Sequence, residues 1–326
     1  MAIIIAYQSF YDMRMRAKIP SYQQVRLLKF NHFNWPLIKK AWHTMSIDYG
    51  KTYKKSIVDP KTRITFLCLF NQKRMARRGI KIDLRKNCPL CDTQQLSSLK
   101  IGEVGAWDLI CNKYPIVPYH LILNSKTHRT GPSLHEALTM VLLSKYIPQE
   151  RILLSPGLGT GAGIPLHVHA HLLPLRLSLE DAKVKKFYTF RNITLNKLIY
   201  PAWGLKIMGP SKILGRIIFQ LIRSSKWPLN LSFVNGDVFV IPRKEEMPEI
   251  CKGIVDGVGT LATSGLYTLC DREALKRVTL KTFIEGLRHA SFAEDNKFQT
   301  QFIELLIPLI EEKGEKRKNH QLQNGF

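Results

Sequence analysis

Acidic side chains are scarce in this chain. Its 326 residues hold 25 Asp and Glu against 49 Lys and Arg, a formal charge of +24. The shortage is sharpest in residues 1–87, with 4 acidic and 19 basic side chains. Such a field attracts polyanions, whether nucleotides, nucleic acid or an anionic membrane surface. The alternative is a solvated, lysine-rich surface with no partner. Long apolar runs are missing as well. No stretch approaches the roughly 18 apolar residues that a bilayer-spanning helix needs, which excludes a polytopic membrane protein. The opening Met-Ala-Ile-Ile-Ile-Ala is short, follows no basic residue and precedes Asp12 and Arg14. No signal peptide is expected, and the cytoplasm is the expected compartment. Cysteine is sparse at six, too few in so long a chain for a disulfide scaffold. A Walker loop, a dinucleotide fingerprint and a fixed-period repeat are all absent.

What is present suffices for a large core. Hydrophobic residues make up 45 % and charged residues 23 %, which excludes general disorder. The length is room for one large domain or two modest ones. Strand-like runs stand at 65–70, 106–112, 119–125, 151–155 and 167–176, and a helical pattern follows Pro132. Residues 212–224 form an amphipathic helix candidate. Asn235-Gly236 between two apolar runs is a hairpin signal. Residues 280–287 and 298–310 read as helices, and 311–326 as a polar, frayed tail. Hairpins and helices without regular βαβ alternation argue for an α+β fold with antiparallel sheets flanked by helices. Trp203 and Trp227 read as packing residues; Cys68, Cys111, Cys251 and Cys270 read as buried thiols.

Three histidines fall within five residues, His167-Val-His169-Ala-His171. On a strand, period-2 alternation points all three rings to one face. Three imidazoles on one face suit metal binding, phosphate binding or nucleophilic attack better than simple burial, where each would need a hydrogen-bond partner. The preceding segment carries Gly157, Gly159, Gly161 and Gly163, whose amides could form an anion nest or an ordinary loop. Cys88-Pro-Leu-Cys91 supplies half of a tetrahedral metal site, with His128 and His167 as candidates for the rest. A redox pair is the alternative reading of the same two cysteines.

The string His167-Val-His169-Ala-His171-Leu-Leu-Pro174 resembles the signature of the histidine triad superfamily. Asn112-Lys113-Tyr114-Pro115, leading through Val117-Pro118-Tyr119-His120 to Lys126-Thr-His128, resembles the approach strand of its transferase branch. That branch holds galactose-1-phosphate uridylyltransferase, diadenosine tetraphosphate phosphorylase and GDP-hexose phosphorylases. Tyr200-Pro-Ala-Trp203-Gly204 and Asn230 to Arg243 resemble the branch's second half. The resemblance implies a catalytic unit at 65–178 with a HIT-like antiparallel sheet, a related or degenerate second half at 195–310, a basic N-terminal extension at 1–64 and a tail at 311–326. It implies a structural zinc ion on Cys88, Cys91, His128 and His167. It implies His169 as the nucleophile that forms a nucleotidyl–imidazole intermediate, with His171 beside it. Asn112, Lys113, Gly161 and Gly163 would hold the phosphate oxygens. His171 departs from the transferase branch, whose members usually carry Gln there.

The leading expectation is a nucleotidyltransferase or nucleotide phosphorylase acting on a nucleoside diphosphate sugar or a dinucleoside polyphosphate. Two alternatives stand beside it. One is a triad-type hydrolase that removes nucleotidyl groups, including from nucleic-acid ends held by the basic N-terminal region. The other is a non-enzymatic, zinc-containing basic binding module. The sequence leaves the oligomeric state open.

Overall fold

The structure, a computed structural model, describes residues 42–43, 50–75, 88–147 and 149–322. Sequence readings on 1–41 and on the basic run 76–87 lie outside the described residues. Strand β1 (Thr52–Val58) falls in the stretch read as an N-terminal extension and pairs antiparallel with β2 (Thr65–Asn71). The alternating apolar pattern of 100–125 builds a meander of β3 (Lys100–Val104), β4 (Trp107–Cys111) and β5 (Leu121–Ser125). Helix α1 (Leu134–Tyr146) follows, opened by a capping box in which Ser133 accepts from the Glu136 amide and Glu136 accepts from the Ser133 amide. Then come β6 (Arg151–Leu154) and β7 (His169–Leu173).

The next stretch repeats this order. It runs β8 (Lys183–Phe190), β9 (Ile193–Ile199), β10 (Leu205–Met208), α2 (Ser211–Ser224), β11 (Leu229–Val234) and β12 (Asp237–Pro242). All ten strands from β3 to β12 share one antiparallel sheet in the order β3-β4-β5-β7-β6-β11-β12-β10-β9-β8. Read from its outer edge, each half is a 1-2-3-5-4 sheet, and the two meet where Leu153 of β6 faces Ser232 of β11. The Asn235-Gly236 turn between β11 and β12 has both residues at positive φ, +53° and +86°, as a tight hairpin turn of this kind requires. β13 (Leu266–Thr268) joins β2 in parallel to complete a second, three-stranded sheet.

The large sheet is covered on both faces, so its central strands are buried almost throughout. On one face, Val168, Ala170, Leu231, Phe233, Val238 and Val240 pack with apolar residues of α1 and α2. On the other, Val234, Phe239 and Ile241 meet Phe66, Tyr267 and Phe283, the last from α3 (Leu280–Ala290). Helix α4 (Asn296–Leu322) sends Phe298, Phe302, Leu306 and Ile310, four residues apart, into the first of these cores.

Two expectations need correction. The strand expected at 167–176 is paired only over His169–Leu173. The Val168 amide turns to the Arg129 carbonyl, and Pro174 has no N–H to continue the ladder. The tail expected to fray beyond 310 continues α4 to Leu322, because 311–318 is rich in Glu and Lys, good helix formers. The four cysteines read as buried thiols are all buried.

Candidate active site and metal cluster

The histidine-rich strand sits next to the seam between the two halves. β7 lies between β5 and β6, with His169 opposite Asn124 and His171 opposite Ile122. Alternation sends Val168, Ala170 and Leu172 into the core under α1 and leaves His169 and His171 on the other face, both half-buried. His169 Nδ1 lies 2.9 Å from the His167 carbonyl oxygen. A carbonyl only accepts, so Nδ1 carries the proton and Nε2 the lone pair.

His171 is oriented by a histidine that sequence reasoning passed over. His120 is fully buried at the start of β5. The Ile116 amide donates to its Nδ1 at 3.1 Å, so its proton sits on Nε2. That Nε2 lies 2.8 Å from His171 Nδ1. His171 therefore accepts at Nδ1 and bears its own proton on Nε2, a neutral ring offering an N–H. Asn112, expected at a phosphate, supports this relay instead. Its Oδ1 accepts from the Tyr114 amide at 2.8 Å, and its Nδ2, 3.2 Å from His120 Nδ1, offers a second donor to the ring nitrogen that accepts. Lys113 is exposed next to it. The buried Arg74 ties the same loop down by donating to the Tyr114 carbonyl at 2.9 Å.

The glycine loop between β6 and β7 is pressed against the second half. Gly161 has φ +74°, and a Cβ there would stand 2.7 Å from the Val258 carbonyl oxygen. Gly163 is exposed. A polar seam lies beneath the loop, where Ser155 contacts Thr260 and Asn230.

Cys88, Cys91, His128 and His167 converge, with one potential ligand atom from each and all four atoms within 4.8 Å of one another. The Cys91 amide donates to the Cys88 carbonyl at 3.0 Å, closing a knuckle that presents both sulfurs. His167 Nδ1 lies 3.5 Å from Cys88 Sγ and 3.2 Å from Cys91 Sγ, and His128 Nδ1 lies 3.2 Å from Cys91 Sγ. These separations suit the edges of a tetrahedron around one small cation. The buried His167 donates Nε2–H to the Ser125 carbonyl at 2.9 Å, which leaves Nδ1 as the ligand atom. Burial and the adjacent Cys88 push the Cys91 thiol up to about 11. The four residues could thus hold a metal ion, and a dication would favour the thiolates. The knuckle is anchored to β5 beside β7, since Asn124 Nδ2, opposite His169, donates to the Leu90 carbonyl at 3.2 Å.

Sequence reasoning named His167, His169, His171, Cys88, Cys91 and His128, and the structure gathers them around one end of β7. It placed His120 in the string leading to His128 but gave it no role, and it gave none to Asn124 or the Ser125 carbonyl. Only the position of His120 at the mouth of a strand pairing with the histidine strand hinted at a role.

A sheet of this order, with histidines alternating on the strand after a glycine loop, defines the histidine triad-like fold. Residues 27–173 match a family model described as "Domain of unknown function (DUF4922)". Comparison with curated proteins finds no match. Among solved structures, the chain is similar to yeast Ap4A phosphorylase Apa2 in complex with Ap4A, with TM-score 0.56 and 16 % identity over 78 % of this chain and 97 % of that one. The same yeast enzyme in complex with AMP matches with TM-score 0.52 and 15 % identity over 78 % and 96 %. The chain thus has the HIT-like α+β fold of these structures. No described helix is long and apolar enough to cross a membrane.

Proposed function

We propose that this chain is a nucleotidyltransferase or nucleotide phosphorylase, acting on a nucleoside diphosphate sugar or a dinucleoside polyphosphate with His169 as nucleophile. The observation that carries the reading is the 2.9 Å bond from His169 Nδ1 to the His167 carbonyl, which gives Nε2 the lone pair. In the first step Nε2 bonds to the α-phosphorus. The bond from that phosphorus to the bridging oxygen breaks, and the leaving sugar phosphate or nucleoside polyphosphate keeps the electron pair. In the second step an oxygen of inorganic phosphate or a sugar phosphate attacks the same phosphorus, and the N–P pair returns to Nε2. His171 Nε2–H donates to a phosphoryl oxygen as charge develops, and Lys113 and the amides of Gly161 and Gly163 hold the others. The neutral ring of His171 offers the N–H that a glutamine amide would offer at this position. Cys88, Cys91, His128 and His167 would hold a zinc ion whose contribution is structural, fixing the chain at His167, two residues before the nucleophile that opens β7.

The test is intact-protein mass spectrometry after incubation with Ap4A and a set of nucleoside diphosphate sugars, with zinc measured on the same samples. A nucleotide-sized adduct on the wild type and none on His169→Ala is the expected result. Turnover without an adduct, with water rather than phosphate as acceptor, would replace the reading with the hydrolase. A folded, zinc-loaded protein with neither adduct nor turnover would leave a binding module.

A further inference from the structure

A cavity of about 560 Å³ opens at the end of the α1–α2 helix pair, where the glycine loop begins. None of His120, His128, His167, His169 or His171 lines it. Its volume is in the range of sites that enclose small organic ligands. Three cations, Arg129, Arg223 and Lys226, line it, and no carboxylate does. Arg129 uses one Nη on the buried Glu136. Arg223 and Lys226 have no carboxylate partner among the described residues. Their charges rest on aromatic faces instead, Arg223 over Phe219 at 5.3 Å and Lys226 over Trp227 at 4.6 Å. The apolar share of the lining is equally specific. Trp227 and Phe219 are half-buried, and Leu158 at the loop tip is 67 % exposed, an unusual place for a large apolar side chain.

We propose that this cavity is a second binding site, for a nucleoside phosphate, separate from the histidine cluster. Uncompensated cations select a phosphate, and the guanidinium fork of Arg223 suits two of its oxygens. Trp227 and Leu158 supply a flat apolar surface for the base. Bare inorganic phosphate would leave that surface uncovered, and an uncharged nucleoside would leave the cations unanswered. The site bears on the catalytic loop because they share a segment. Gly157 and Leu158 line the cavity, and the same loop runs on to His167. Thr160 Oγ1 donates to the Gly157 carbonyl at 2.8 Å, and Gly159 is pressed on Pro228, next to Trp227. This inference does not rest on the reaction proposed for His169.

The full chain would be photolabelled with 8-azido-ADP and its peptides mapped by mass spectrometry. Label is expected within 219–229, displaced by ADP but not by adenosine. It is expected to persist in His169→Ala. Charge reversal at the exposed pair, Arg223→Glu with Lys226→Glu, is expected to weaken ADP competition about tenfold or more, and Trp227→Leu, which keeps both charges but removes the ring under Lys226, to weaken it as well. Circular dichroism would confirm that each variant is folded. Label confined to peptides of the histidine strand, or lost from 219–229 in His169→Ala, would overturn the proposal. Equal competition by inorganic tripolyphosphate would reduce the site to a polyanion contact, and far tighter competition by a single-stranded oligonucleotide would make it a nucleic-acid surface; either result rejects a nucleoside phosphate site.

Discussion

His171 is held as a hydrogen-bond donor by a chain of three assignments, none of which depends on its own environment in solvent. The Ile116 amide must donate, so His120 Nδ1 accepts; His120 Nε2 must then donate, so His171 Nδ1 accepts. A glutamine can present an N–H from the same place. His171→Gln is therefore expected to keep adduct formation within about tenfold of wild type, whereas His171→Ala is expected to lose about a hundredfold or more. His120→Ala, which frees the His171 ring to turn, is expected to fall between them with KM little changed, measured by single-turnover kinetics. The HVHAH spacing made His171 legible in the sequence. His120 was not legible, because its meaning depends on which strand pairs with β7. A second residue-scale effect concerns Glu150, just before β6, whose carboxyl oxygens are buried without a hydrogen-bond partner among the described residues. Burial pushes its carboxyl from 4.5 up to about 8, with Arg151 pulling weakly the other way. Between those values the folded chain keeps a proton that the unfolded chain releases, so stability falls as pH rises and the loss is complete above about 8. Glu150→Gln removes that slope. Urea denaturation is expected to show it matching wild type near pH 4 and exceeding it by on the order of 1–3 kcal/mol at pH 8.5.

At the scale of elements, α1 and α2 pack so closely that a glycine decides the distance. A Cβ on Gly215 would stand 2.8 Å from Leu138 Cα and 2.7 Å from Leu138 Cδ2. Helix propensity alone would reward Gly215→Ala by about 1 kcal/mol. The backbone atom at 2.8 Å cannot swing aside as a side chain can, so the contact outweighs the propensity. A net loss of about 1–3 kcal/mol is expected from urea midpoints, and a gain would mean that the two helices slide apart freely. The helix itself was readable from its amphipathic period, and so were most strands, from alternation and from the Asn235-Gly236 turn. The closeness of the helices was not, since Gly215 in a helical pattern is as consistent with an exposed face as with a crossing point. The end of β7 was misjudged for a related reason. His167 and Val168 look like strand residues, but their backbone and side-chain bonds go to the two cysteines and the 125–129 loop.

At the scale of the whole molecule, the two halves share a strand order that no repeat in the sequence announces. Pairing registers make the reason visible. Leu121 faces Leu172 in the first half and Leu205 faces Val240 in the second, which sets His169 and His171 equivalent to Asp237 and Phe239. The second half thus keeps the sheet and lacks the histidines. Its contribution to the site is mechanical, and Gly161 is where it acts. Two backbones meet there, with Gly161 against Val258 and Gly259 against the Gly161 carbonyl. Gly161→Ala combines a positive φ of +74° with a Cβ 2.7 Å from a carbonyl oxygen. Gly253 separates the two effects, because it has φ +67° and nothing within 4 Å of an added Cβ. Gly253→Ala is expected to cost about 1 kcal/mol, from backbone strain alone. Gly161→Ala is expected to cost about 3 kcal/mol or more, since neither backbone can yield without moving the loop or the 256–260 segment. The loop leads directly to β7, so the same variant is expected to slow nucleotidylation of His169 about tenfold or more while Gly253→Ala leaves it unchanged. Equal costs for the two variants in urea, or an unslowed Gly161→Ala, would mean that the second half does not brace the catalytic loop.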